Sequence, residues 1–210
     1  MDTDFWHRKW ASEEIAFHEG AANALMLAHF GRLALAAGSR VFVPLCGKSL
    51  DLDWMLSEGY RVAGVELSRL AVDQLFARLG VRPDVSVAGE LLHYRAEKID
   101  IFVGDIFSLS ADMLGAVDAV YDRAALVALP EAMRVPYAAH VTQLAARAPQ
   151  VLICYQYEQA IMAGPPFSIS DEEVRERYGD AYGLTLLERA EVAGGFKGRF
   201  PALEAVWLLS

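Results

Sequence analysis

The stretch VFVPLCGKSLD, residues 41–51, decides the fold. Residues 41–44 form an apolar run rich in β-branched and aromatic side chains, long enough for a buried strand and too short for a helix. The turn LCGKS follows, in which Gly47 lets the backbone approach a ligand. Residues 49–58 then place Leu52, Met55 and Leu56 on one helical face, with Asp51 and Asp53 near the positive helix start and Gly59 as the stop. Strand, glycine turn and helix are the first half of a βαβ unit.

The unit completes itself downstream. RVAGVE (61–66) reads as a second strand, and Val72, Leu75, Phe76 and Leu79 recur at i, i+3, i+4 and i+7 before Gly80 ends a second helix. Strand-like runs recur at IDIFVGD (99–105), VDAVYDR (117–123) and VLICYQY (151–157). A helical region spans about 130–147, interrupted by Pro136, and a Gly-Pro-Pro loop leads to a polar helix over roughly 170–178. LTLLERAEV and ALEAVWLLS predict an antiparallel finish. The expected architecture is α/β, one domain over 1–210, with a mostly parallel sheet of about seven strands and flanking helices. Residues 1–35 read as an added amino-terminal helical segment, whereas residues 81–98 show no clean period.

Composition narrows the function. With 28 acidic against 19 basic residues the net charge is −9, which repels nucleic-acid backbones and anionic lipid surfaces. The two cysteines, Cys46 and Cys154, are too few for a disulfide framework and form no C-x-x-C pair, so a reducing, cytoplasmic setting is expected. The amino terminus lacks a basic start followed by an apolar core, and no apolar run is long enough to span a bilayer. The five histidines show no metal-ligand spacing, so no metal is expected, and surface or capping roles account for them.

Motifs for nucleotide hydrolysis and dinucleotide binding are not met. A P-loop ending in Gly47-Lys48-Ser49 requires glycine where Phe42 stands, and no G-x-G-x-x-G occurs. In open α/β sheets ligands bind beyond the carboxyl ends of the strands, and four such ends carry chemistry here. Leu45 to Ser49 form the first. Glu66 ends the second strand, about 20 residues after the glycine turn, where a carboxylate grips two ribose hydroxyls; a solvated strand end or a helix cap through Ser68 is the plainer alternative. Gly104-Asp105-Ile106 suits an adenine edge and face, or is an ordinary turn. Arg123 calls for an anionic partner, either a ligand carboxylate or the adjacent Asp122. Trp6 and Trp10, four apart, share a helical face and form either a lid or a staple onto the core.

FWHRKW, VFVPLCGKSLD, VAGVELS, YDRAALVAL and GPPF together closely resemble the thiopurine S-methyltransferase family over residues 5–178, and its bacterial branch in particular. The resemblance implies a class I methyltransferase fold, S-adenosylmethionine as methyl donor, and S-methylation of aromatic or heterocyclic thiols such as thiopurines. Selenium and tellurium oxyanions are implied as further acceptors. Carried over by position, Trp10, Leu45, Glu66 and Arg123 would contact the cofactor, Asp105 and Ile106 would line the adenine pocket, and Arg123 and Arg199 would face the acceptor. No catalytic base is assigned, because an acidic thiol supplies its own thiolate. A monomer with a small thiol or chalcogen substrate is expected. The other readings of the chain are an O- or N-methyltransferase and a nucleotide-binding module without activity.

Overall fold

The apolar run at 41–44 becomes the central strand of the sheet. A computed structural model describes residues 3–12, 14, 19–192, 194, 195 and 198–210. In it, β1 (Arg40–Pro44) pairs in parallel with β2 (Arg61–Glu66) on one side and β6 (Ala119–Arg123) on the other. Beyond β2 lies β5 (Ile99–Val103), and beyond β6 lies β7 (Gln150–Gln156), both parallel to their neighbours. The antiparallel finish is present: β8 (Leu184–Glu191) and β9 (Leu203–Leu209) return along the edge, with β9 inserted between β7 and β8.

The sheet has nine strands where about seven are expected. The extra pair is β3 (Asp84–Ala88) and β4 (Leu91–Arg95), a hairpin that continues the sheet antiparallel to β5. It is hard to read from the sequence for a physical reason. The edge strand β3 is exposed over Asp84–Val87 and so shows no buried alternation, and its two-residue turn, Gly89-Glu90, carries only a weak turn signal.

Both faces of β1 are buried, which explains its unbroken apolar run. Phe42 faces a core shared with α6 (Glu131–Leu144) and α7 (Asp171–Tyr178), where it joins Tyr137, Val141 and Tyr178. Val41 and Val43 face a second core with Leu52 and Met55 of α3 (Leu50–Ser57) and Val72, Leu75 and Phe76 of α4 (Arg69–Leu79). Truncating a fully buried residue such as Leu52 to alanine costs about 2–5 kcal/mol. Serine hydroxyls cap both of these helices: Ser49 accepts from Asp51 N–H and Ser68 from Ala71 N–H.

One further expectation needs adjustment. Pro136 sits inside α6 without ending it. The missing donor is tolerated because Arg134 before it and Tyr137, Ala138 and Val141 after it are held in the core. A short α5 (Ala111–Leu114) precedes β6, capped by Ser110. The amino-terminal segment is helical as expected, with α1 (Thr3–Ala11), α2 (Ala24–His29) and a 3-10 turn at Phe30–Leu33. Among the described residues no helix is long and apolar enough to cross a membrane.

Candidate active site

The chain leaves β1 toward β2 and later returns to β6 on the other side, so the strand order reverses between β1 and β6. That is where open α/β sheets bind ligands. The backbone is unusual at these ends. Leu45 after β1 has φ +47°, Gly47 +53°, Gly104 after β5 +142° and Ala124 after β6 +61°. Leu45 and Ala124 are not glycine, and left-handed positions of this kind cluster at functional sites.

Glu66 stands at the end of β2 with only 6% of its surface exposed. Its Oε2 accepts the Gly47 N–H at 2.9 Å and its Oε1 the Ser68 N–H at 2.8 Å. Burial pushes the carboxyl above its usual range, while the N–H groups of Ser68, Gly47 and Leu67 pull it back. A carboxylate has about four acceptor positions, and these two bonds leave room for a diol. Glu66 is therefore no solvated strand end; it ties the glycine turn to β2. Next to it, the Gly104 N–H donates to the Glu66 carbonyl at 2.9 Å and brings in the end of β5.

At that end Asp105 is exposed and accepts the Phe107 N–H at 3.0 Å, capping a 3-10 turn at Ile106–Ser108. Ile106 is buried in the core on the α6 face, and its carbonyl meets His140 Nε2 at 2.9 Å. The two residues thus stand at the expected strand end with their side chains diverging, one toward solvent and one into the core.

Trp10 covers the glycine turn. A methyl group on Gly47 would come within 3.1 Å of Trp10 Cζ2, and the Lys48 ammonium lies 5.8 Å from the centroid of the indole ring. Only 4% of Trp10 is exposed. Trp6, one turn earlier, is half-buried and meets Phe5 edge-on at 5.2 Å. Cys46 is packed against β2, where a methyl on Gly64 would fall 2.8 Å from its Sγ. Burial, followed by the nearby Glu66 charge, pushes its thiol well above the ordinary range.

Arg123, at the end of β6, does not pair with Asp122. Its side chain is 8% exposed and meets Glu19 through Nη2 and Asp51 through Nη1, the latter at 3.5 Å. Burial works against the guanidinium charge, but Tyr121, Asp51 and Glu19 outweigh it and hold the group above its ordinary pKa. Asp51 also accepts the Asn23 N–H at 2.7 Å and the Tyr121 hydroxyl at 2.9 Å. Asp122 points to the opposite face, where it accepts the Tyr137 hydroxyl at 2.7 Å and the Leu126 N–H at 3.2 Å, and burial raises it to about 6.

On the far side, burial and Glu204 push Tyr155 up to about 12, and burial raises Glu204, its partner in the β7–β9 register. Sequence reading missed Glu19 and Glu204 and gave Asp51 and Tyr121 no role at the site. Asp51 carried a signal, but one that a helix-start charge explained equally well. Arg199 is exposed in the turn before β9, whose first residue, Leu203, pairs with Gln156 at the carboxyl end of β7. The β8–β9 loop therefore reaches the same end of the sheet.

The histidines are more structural than expected. His93 is buried, stacks on Phe102 at 4.3 Å and meets Asp100 at 3.2 Å, and His29 meets Glu188 at 2.6 Å. His18 lies outside the described residues. No group of three or more His, Cys, Asp or Glu side chains among the described residues is placed to hold a metal ion. A surface cleft of about 400 Å³, lined by Asp73, Phe76, Gly80, Arg82 and Tyr94 among others, lies at the far end of α4 and includes none of the site residues.

The family model described as thiopurine S-methyltransferase matches residues 1–202. Among curated relatives, the thiopurine S-methyltransferase of Xanthobacter autotrophicus is 55% identical over 210 residues, covering 100% of this chain and 99% of that protein. That of Teredinibacter turnerae is 51% identical over 210 residues, covering 100% and 98%. Among solved structures, the 1,6-didemethyltoxoflavin-N1-methyltransferase of Burkholderia thailandensis, with bound S-adenosylhomocysteine, superposes with a TM-score of 0.66 at 16% identity, covering 99% of this chain and 87% of that one. The magnesium protoporphyrin IX methyltransferase of Synechocystis gives 0.60 at 15% identity, covering 100% of both chains. At such identity the likeness concerns the fold, which is that of class I S-adenosylmethionine-dependent methyltransferases.

Proposed function

The chain belongs to the thiopurine S-methyltransferase family, and from that premise we propose that it transfers the methyl group of S-adenosylmethionine to the sulfur of a small aromatic or heterocyclic thiol. The supporting observation is the position of Glu66 and Arg123 at strand ends on either side of β1. A buried carboxylate with spare acceptor positions stands at one strand end, and an arginine already matched to carboxylates stands two strands away, roughly 10 Å across the sheet. The first suits a ribose diol, the second the carboxylate of an amino-acid tail.

The residues present fit this cofactor. Trp10 provides an apolar wall beside the glycine turn, and Leu45 leaves β1 in a left-handed conformation, φ +47°, at the start of that turn. Asp105 stands beside Glu66 at the end of β5, within the region expected to receive the base, whereas the Ile106 side chain turns into the core. S-adenosylmethionine supplies an activated methyl group to an in-line nucleophile. The protein's part is alignment and the exclusion of water, for which Trp10 and α1 are placed.

Among the described residues no side chain is assigned as a general base. Cys46 and Cys154 are buried thiols held far from their thiolate forms, and Asp122 faces the other side of the sheet. On this reading an acidic acceptor brings its own thiolate. Arg199, in the loop at the same end of the sheet, is the residue proposed for acceptor contact.

Titration of the purified protein with S-adenosylhomocysteine tests the cofactor assignment. Saturation at 100 times the dissociation constant should add about 2.7 kcal/mol to the stability of the fold. An unfolding midpoint that does not move with S-adenosylmethionine or S-adenosylhomocysteine overturns it.

A further inference from the structure

We infer that Asp51 is a positioning residue, which fixes the Arg123 guanidinium in the orientation that reads the carboxylate of the cofactor's amino-acid end. The inference rests on the reading of Arg123 given above and adds a residue to it. Arg123 has two acidic partners of different character. Glu19 is 38% exposed along its side chain, whereas Asp51 is 2% exposed. An exposed carboxylate on a loop can move aside for a ligand, but a buried one cannot.

Asp51 is held from three directions. The Asn23 N–H at the start of α2 binds Oδ1 at 2.7 Å, while the Tyr121 hydroxyl on β6 binds Oδ2 at 2.9 Å and Arg123 Nη1 stands 3.5 Å from the same oxygen. The Asp51 backbone lies in the first turn of α3, immediately after the glycine turn. Two neutral donors therefore set the plane of the carboxylate, and the carboxylate in turn sets the guanidinium. Tyr121 and Arg123 are two apart on one strand and project to the same face, so the O–H and the guanidinium reach Asp51 side by side. A fixed arginine reads a carboxylate with less loss of side-chain freedom than a mobile one.

The geometry makes Asp51→Asn a selective probe. The Asn23 N–H requires an oxygen at the Oδ1 position, so the new amide nitrogen takes the Oδ2 position. There it can donate to the Tyr121 oxygen, but it presents N–H groups to the guanidinium, so the arginine loses the buried counter-charge 3.5 Å from its Nη1 while the other two links survive. Tyr121→Phe is the second variant: it removes only the hydroxyl that orients Asp51 and preserves the shape of a fully buried ring.

Calorimetric titrations should compare S-adenosylhomocysteine with 5′-methylthioadenosine, which lacks the amino-acid end. The wild type should favour S-adenosylhomocysteine. Asp51→Asn should weaken that ligand about tenfold and leave methylthioadenosine within twofold, and Tyr121→Phe should move the ratio the same way by a smaller factor. In turnover, Asp51→Asn should raise the KM for S-adenosylmethionine with kcat nearly unchanged at saturation. If both ligands weaken equally, or if the wild-type preference survives in both variants, Asp51 is merely structural and the inference falls. A wild type that binds both ligands equally removes the reading of Arg123, and the inference with it. A wild type that binds neither overturns the proposed function.

Discussion

The Gly47 N–H donates to the Glu66 carboxylate at 2.9 Å, so the turn after β1 and the end of β2 are joined through a buried acid. A second N–H, that of Ser68, is satisfied by the same group. Glu66→Ala therefore does two things at once. It should cost cofactor affinity of about 1–3 kcal/mol, and it should lower the stability of the ligand-free protein by a similar amount, because two buried donors lose their acceptor. Paired calorimetric and urea titrations measure both. A variant as stable as the wild type would show that the turn does not depend on Glu66.

Gly47→Ala tests the contact between the turn and α1. The position has φ +53°, and the added methyl would lie 3.1 Å from the Trp10 ring. Backbone strain alone should cost about 1–2 kcal/mol, and displacement of the indole should change the tryptophan fluorescence of the folded protein. An unchanged spectrum with unchanged stability would contradict the packing described.

The helix α1 should respond to ligand. Trp10 closes over the glycine turn that is expected to meet the cofactor, so S-adenosylhomocysteine should slow hydrogen exchange in Thr3–Ala11. Identical exchange with and without ligand would leave Trp10 as a staple onto the domain and remove the lid.

Asp122 gives a pH dependence with a definite sign. Its carboxyl is raised from 3.8 to about 6 by burial, against the opposing bonds from Tyr137, Leu126 and Ala125. The folded state thus holds the proton more tightly than the unfolded chain. The stability it contributes is fully present below about pH 4 and is lost as pH rises through about 6, a change on the order of 3 kcal/mol. Asp122→Asn should abolish this component, so the stability of the variant relative to the wild type should rise between pH 4.5 and 7. A difference that stays constant across that window would show that Asp122 is ionised throughout.

Much of this fold is written in patterns short enough to read. β1 and β2 are apolar on both faces, α3 and α4 carry helical periodicity with serine caps, and the strand ends follow from them. Glu66, Asp105 and Arg123 could be placed because an open sheet gathers its strand ends on one side. The hairpin β3–β4 could not, since its outer strand is exposed and its apolar positions do not alternate with burial. The partners of Arg123 were equally hidden. Glu19 and Asp51 are 104 and 72 residues away in the chain, and only the folded arrangement tells a buried carboxylate from a helix-start charge.

The central claim is methyl transfer to thiol sulfur, and one measurement reaches it most directly: S-adenosylhomocysteine release from S-adenosylmethionine in the presence of matched thiols, phenols and amines, followed against pH. The account predicts turnover with aromatic and heterocyclic thiols. The rate should be flat in pH for an acidic thiol and should climb toward the pKa of a poorly acidic aliphatic one, because on this reading the acceptor's own ionisation supplies the thiolate. Turnover confined to phenols or amines, or one bell-shaped profile shared by thiols of very different acidity, would contradict it.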